Sequence, residues 1–206
     1  WRTMLLWKDL NEKSGYEAKF AYFNEFTRYK DPVPDIYSVI RSQSVTGSFE
    51  GTWEVAENTS LFAGIQSVYE YAELDYYSRP EDQGNLALYA SLNQKIPLIK
   101  WQASLNCRQE FFTGYNSPFL FSVGAEGKIW GILSGNFSVS RNFRSPTLNE
   151  RFWVPGGNPD LKPESSWNEE AGLSIQKTFN WFSTKFAATA YNSRVDNWIL
   201  WLPVTS

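Results

Sequence analysis

The chain has 206 residues, a formal charge of −3 at pH 7 and an isoelectric point near 5.2, which argues against a nucleic-acid partner, for which a basic face is expected. There is no histidine and only one cysteine, Cys107, so an intrachain disulfide, a Ser-His-Asp or Cys-His catalytic site and a histidine-based zinc or iron centre are excluded. Aromatic residues make up 17% of the chain while the mean hydropathy is −0.42, so large rings are interleaved with polar residues, and no run approaches the roughly 18 apolar residues of a transmembrane helix.

Alternation at period two predicts strands along the whole chain. Residues 2–10 form the weakest row, followed by 16–30 and 39–55. In the last of these, Val39, Val45, Phe49, Trp53 and Val55 share one face, and Ser42, Ser44, Thr46, Ser48, Glu50, Thr52 and Glu54 share the other. Rows at 61–74 and 86–96 precede the clearest one, 99–111, where Ile99, Trp101, Ala103, Leu105 and Cys107 alternate with Lys100, Gln102, Ser104, Asn106 and Arg108. Rows at 119–129, 132–142, 167–177 and 183–201 bring the total to about ten.

All ten prolines fall between these rows or at their ends, where a missing backbone donor does least harm. Connections alternate in length: 11–15, 57–60, Pro97, Gly131 and the turn near Asn180 are short, whereas 31–35, 78–84, 113–117 and 143–165 are long. Short turns on one rim and long loops on the other describe an antiparallel up-and-down transmembrane β-barrel. Several rows exceed the usual five or six residues of soluble strands, and a continuous polar face suits a wet or plugged lumen. The alternatives are a passive porin and a water-soluble carbohydrate-binding β-domain whose apolar faces pack together. The start at Trp1, without an initiator methionine or signal-peptide core, reads as an excerpt of a longer protein.

Several residues are candidates for function. Tyr71, Tyr76 and Tyr77, with Tyr69, cluster beside the long 78–84 connection and are the expected ligand contacts. Glu50, Glu54, Glu70, Glu110 and Glu126 recur on polar faces and read as solvated lumen groups, not catalytic acids. Trp53, Trp101, Trp130, Trp181 and Trp198 sit where interfacial girdles are expected.

The connection from Arg141 to Glu164 reads RNFRSPTLNERFWVPGGNPDLKPE. Its FRSPTLNE portion, Phe143 to Glu150, resembles the FRAPTLNEL segment of TonB-dependent outer-membrane receptors, with Ser145 in place of alanine and Asn142 in place of a frequent glycine. Its GNPDLKPE portion, Gly157 to Glu164, resembles a second motif of that family at fitting spacing, and the likeness continues through Ser166 to Leu173, Tyr191-Asn192 and Asp196 to Ile199. Residues 1–140 agree in strand rhythm without a motif of that specificity.

The resemblance implies that residues 1–206 are a partial barrel domain, about ten strands of a plugged barrel of about 22, in the outer membrane of a Gram-negative bacterium. It implies a receptor of the siderophore/cobalamin type, not an enzyme: active transport of an iron-siderophore complex or cobalamin, or as runner-up a glycan, energised by the TonB complex through a plug. Outer-membrane lipid is the other partner, and no cofactor or metal site is implied. The matched residues Arg144, Pro146, Asn149, Glu150, Gly157, Asn158, Pro159, Asp160, Lys162, Pro163 and Glu164 are expected to brace the barrel rim. Pro159 and Pro163 fix φ, Asn158 and Asp160 can bond nearby backbone, and Arg144 and Arg151 can pair with Glu150 and Glu164, each exposed pair contributing about 0–1 kcal/mol.

Overall fold

The computed structural model describes residues 1–31, 36–154 and 156–201; Pro32, Pro34, Pro155 and Pro203 lie outside them. The alternating rows become β1 (Arg2–Leu10), β2 (Ser14–Asp31), β3 (Ile36–Ala56), β4 (Thr59–Leu74), β5 (Glu81–Ile96), β6 (Trp101–Phe112), β7 (Tyr115–Asn116), β8 (Leu120–Trp130) and β9 (Leu133–Arg144). A short helix, α1 (Leu148–Phe152), then precedes β10 (Glu164–Thr178) and β11 (Ser183–Asp196). All the strands join one antiparallel sheet in sequential order, except that the two-residue β7 pairs only with β6. β1 and β11 are its edges.

The pairing register turns sequence alternation into two faces. Trp53, Leu61, Leu92, Leu105, Val123 and Val139 stand directly opposite one another across six strands, forming an apolar rung. One residue away on each strand, Glu54, Ser60, Asn93, Ser104, Gly124, Ser138 and Glu170 form a polar rung on the opposite face. Leu105 is 48% exposed and Phe137 47%. These side chains therefore do not pack into the closed core of a soluble sandwich, the outcome that would have excluded a lipid-facing wall.

The polar face is concave enough that non-neighbouring strands share cavities: Glu54 and Ser60 of β3 and β4 line one with Glu126, Asn136 and Ser138 of β8 and β9. Its side chains bond to one another. Tyr89 donates to Glu50 at 2.6 Å, Arg108 to Glu110 at 2.5 Å, Asn106 to Ser122 at 3.3 Å and Asn136 to Glu170 at 3.2 Å. Such a face pairs many of its polar groups with one another, although Gln83 Oε1 and Asn85 Oδ1 on β5 are buried without a partner.

The short turns, including the one at Gly131 (φ +53°), gather on one rim. Trp53, Trp101, Trp130 and Trp181 stand beside them, with the Trp53 indole donating to the Tyr16 hydroxyl at 3.1 Å and the Trp101 indole to the Lys128 carbonyl at 2.7 Å. Trp198 lies beyond β11 at the opposite rim.

The long-loop rim departs from the expected boundaries. β5 begins at Glu81 instead of residue 86, which shortens the 78–84 connection, and β10 begins at Glu164 instead of 167. Glu81 to Asn85 are polar on both faces, so no alternation marks them, yet the backbone pairing with β4 continues as far as Ala72 and Glu81. β11 ends at Asp196, short of 201, where Asn197 adopts φ +56° and turns the chain. α1 and β7 both form inside segments expected to be loops.

Candidate functional site

The site is built where the β9–β10 connection folds back over the polar face. Thr147 starts α1 with a reciprocal cap: its hydroxyl accepts the Glu150 N–H at 3.2 Å, and the Glu150 carboxylate accepts the Thr147 N–H at 2.8 Å. This is the Thr-x-x-Glu capping box. It satisfies N-terminal backbone donors that a five-residue helix cannot pair internally.

Arg144, the last residue of β9, holds both ends of the connection. Its Nε and Nη2 donate to the two oxygens of Glu164 at 2.8 and 3.1 Å, and its Nη1 donates to both oxygens of Glu150 at 3.0 Å. Arg144 and Glu164 are direct partners across β9 and β10, so the strand register sets up the first pair and the capping box delivers the second. Glu164 also accepts the Ile199 N–H at 2.7 Å, which ties the segment after β11 to the same point. Arg151 does not join these pairs; its guanidinium lies 4.8 Å from the Phe152 ring centre.

The second motif closes onto the first. Gly157 donates its N–H to the Trp153 carbonyl, and Asn158 donates to the Glu150 carbonyl at 2.9 Å. The Asn158 side-chain oxygen accepts the Asp160 N–H at 3.0 Å, which fixes the turn ahead of Pro163 and β10. Asn158 thus makes the local backbone bond that its residue type suggests. Pro159, Asp160 and Lys162 remain exposed.

From this base the connection reaches the β4–β5 turn. Tyr76 stacks on Trp153 with centres 4.6 Å apart, and the Val154 N–H donates to the Tyr76 carbonyl at 2.8 Å. The Tyr77 hydroxyl donates to Asn149, and its ring meets Phe152 edge-on. Ala72, Leu74 and Tyr77 form a small buried cluster against which Leu148, Phe152 and Trp153 pack, and Pro146 is fully buried. Ser145 accepts from Gln83 at 3.2 Å and bonds the Tyr115 hydroxyl.

The structure therefore brings together two groups of candidates that the sequence kept 72 residues apart, Tyr77 and Asn149. Tyr71 borders a second cavity beneath this connection, with Glu25, Ser44, Glu70 and the residues from Ser145 to Asn149. Its register position places it in the row of Gln43 and Asp82. Thr147, Phe152, Trp153, Gln83 and Tyr115 were not singled out from the sequence. Only Thr147 carried a readable signal, its spacing to Glu150.

Burial, and then the charge of Glu81, push the Tyr77 hydroxyl up to about 12, so it remains a donor at neutral pH. Its raised folded value means that the contribution is whole below about pH 10 and is lost as pH rises through about 12. Y77F removes one hydrogen bond but keeps the ring. The expected cost is about 0.5–1.5 kcal/mol, read as faster hydrogen exchange in α1 with unchanged exchange in β3 and β4.

Burial opposes the charge of Glu150, but the Thr147 N–H, Arg144 and the Thr147 hydroxyl together outweigh it and hold the carboxyl below its ordinary 4.5. The folded value is the lower one, so this contribution is whole above about pH 4.5 and disappears as pH falls through the folded value. Acidification through the folded value is expected to open the connection to an acid-active protease, and E150Q should remove much of that pH dependence.

An antiparallel sheet with long strands, one exposed apolar face, one polar concave face, short turns on one rim and long loops on the other defines a wall of the outer-membrane β-barrel type. Residues 5–206 match the family described as TonB dependent receptor-like, beta-barrel, and the chain belongs to it. The family consists of outer-membrane receptors and not of enzymes, which places the chain in the outer membrane.

The chain is 24% identical over 168 residues to the vitamin B12 transporter BtuB of Photobacterium profundum, covering 81% of this chain and 27% of that protein. It is 25% identical over 156 residues to the vitamin B12 transporter BtuB of Vibrio vulnificus, covering 73% and 24%. It thus spans about a quarter of the length of these curated relatives. In fold it is similar to the siderophore receptor PirA of Pseudomonas aeruginosa, with TM-score 0.70, 15% identity and coverage of 92% of this chain and 38% of that one. It is likewise similar to a mutant of the ferric enterobactin receptor PfeA from the same organism, with TM-score 0.74, 10% identity and coverage of 94% and 34%.

Proposed function

We propose that residues 1–206 form part of the wall of a larger, plugged transmembrane barrel in an active-transport receptor energised through TonB. The receptor takes up a bulky, scarce nutrient, cobalamin or an iron-siderophore complex. The observation that carries this reading is the β9–β10 connection, which leaves the rim and packs inward over the polar face, so that α1 borders the mouth instead of projecting away from it. Cobalamin stands first because both curated relatives named above are vitamin B12 transporters. The solved structures support the fold and leave a siderophore as the second cargo class.

In this reading the half-buried Tyr76 meets the cargo at the outer mouth and the buried Tyr77 holds the connection in place, while Tyr71, on the face of Leu61, stands at the outer side of the rim. Arg144, Pro146, Asn149, Glu150, Gly157 and Glu164 keep the mouth in shape. Asn158, Pro159, Asp160, Lys162 and Pro163 form its outer turn.

Uptake of labelled cyanocobalamin and of ferric siderophores by cells depending on the intact receptor tests this reading. The expected result is saturable accumulation of one cargo that ceases when TonB is deleted. Passage that is independent of TonB and rises linearly with concentration would identify a passive pore and overturn it.

A further inference from the structure

Arg2, Arg41, Arg79, Arg108 and Arg144 each hold a carboxylate. Arg141 does not, among the described residues, and it and Arg194 both stand on the apolar face. The register places Phe121 opposite Arg141, Arg141 opposite Trp167, and Trp167 opposite Arg194, in one rung across β8 to β11. The shared face is established by contact as well as register: Arg141 lies 5.8 Å from the Trp167 ring centre, and Phe121 meets Trp167 edge-on at 5.6 Å. The Arg141 Nε is buried and has no hydrogen-bond partner.

An arginine on the lipid side of a barrel wall is costly at mid-depth and nearly free at the interface. Arg141 is three residues from the end of β9, and Trp167 is three residues from the start of β10. Both lie close to the long-loop rim, at the level where aromatic side chains mark the membrane boundary. A guanidinium there, beside an indole, is a fork-shaped donor suited to a phosphate group. A soluble anion has no reason to prefer the apolar face, whereas a lipid headgroup is brought to this depth by its own chains.

We infer that Arg141 and Arg194, one on either side of Trp167, form a site on the apolar face for the phosphate of an anionic lipid headgroup. The inference rests on the proposed membrane wall. The site would hold a lipid against β9, β10 and β11 without any part in cargo binding.

The test uses the intact receptor in detergent micelles, titrated with bisphosphorylated lipid A or with a zwitterionic phosphatidylcholine and followed by native mass spectrometry. Wild type is expected to retain lipid A more tightly than R141Q/R194Q by about tenfold or more, the scale of a hydrogen bond between charged groups. Phosphatidylcholine should bind both alike. R141K/R194K, which keeps the charges but loses the fork, should fall between them, and heat-modifiable gel mobility reports that each variant is folded. Equal lipid A binding by folded wild type and R141Q/R194Q would overturn the site. Displacement of lipid A by millimolar inorganic phosphate would also overturn it, as a site for free anions. A receptor that stays monodisperse in water without detergent would instead overturn the membrane wall beneath it.

Discussion

R144A is expected to release residues 145–163 from the polar face while the strands stay paired. Arg144 satisfies four carboxylate oxygens from two glutamates that are themselves largely sheltered, with side-chain exposures of 13% and 15% against 42% for the arginine. Removing it leaves two half-buried carboxylates facing each other without a cation. Charged hydrogen bonds contribute about 1.5–3 kcal/mol and exposed pairs only about 0–1. With the arginine partly in solvent, a loss of about 2 kcal/mol in the closing of the connection is expected, roughly a thirtyfold rise in its open population. Hydrogen exchange at Glu150, Trp153 and Asn158 should accelerate accordingly, with no change at Leu105 or Val123. R144K should recover only part of the protection, because an ammonium cannot fork onto both oxygens of Glu164 while also reaching both oxygens of Glu150. Unchanged exchange in R144A would show that apolar packing alone holds the connection.

G157A is expected to disrupt the same connection by a steric route. A Cβ at Gly157 would stand 2.6 Å from the Trp153 nitrogen, 2.7 Å from its carbonyl oxygen and 2.9 Å from the Arg151 oxygen. All three are backbone atoms just after α1 or within it, so no side chain can swing aside. Relief requires Gly157 to move away from Trp153, which breaks the Gly157–Trp153 bond and strains the neighbouring bond from Asn158 to Glu150. Overpacking of this kind costs about 1–3 kcal/mol, and here it falls on the segment that stacks Trp153 on Tyr76. The adjacent G156A supplies the contrast: its Cβ would first meet the edge of the Trp201 ring at 3.0 Å, which can yield. Limited proteolysis within 145–163 should therefore be much faster in G157A than in G156A. Equal rates would mean that the close approach at Gly157 is not what shapes the turn.

The strands were legible because the physics that places them is local. Where apolar and polar residues alternate, as from Trp101 to Arg108, one face must meet an apolar medium and the other a wet one, and the sequence records both. Beyond the apolar belt that constraint lapses. Glu81 to Asn85 pair through their backbone with side chains that carry no pattern, so alternation marks β5 only from residue 86. α1 was announced by Thr147 and Glu150, but its five residues are too few to show a helical period, and the segment read as a loop. The ion pairs of Arg144 with Glu150 and Glu164 were foreseeable from charge, and the choice of Arg144 over Arg151 was made by strand register. Nothing in the sequence could join Tyr76 to Trp153 or Tyr77 to Asn149, because those contacts depend on how far the connection reaches across the sheet. The candidate residues were therefore visible singly, and the contacts between them came only with the fold.

One face of this sheet is built to meet lipid and the other is not. Leu105 and Asn106 are adjacent on β6 and stand on opposite faces, Leu105 across from Leu92 and Val123, and Asn106 bonded to Ser122. Nitroxide labels placed one at a time by L105C and N106C, in a C107A background of the intact receptor in bilayers, report that difference directly through collision with oxygen and with a water-soluble nickel chelate. The label at position 105 is expected to collide with oxygen and be shielded from nickel, while the label at 106 lacks the oxygen-rich lipid signature. Nickel access at 105 equal to that at 106, or the oxygen-rich signature at 106 instead, would contradict it.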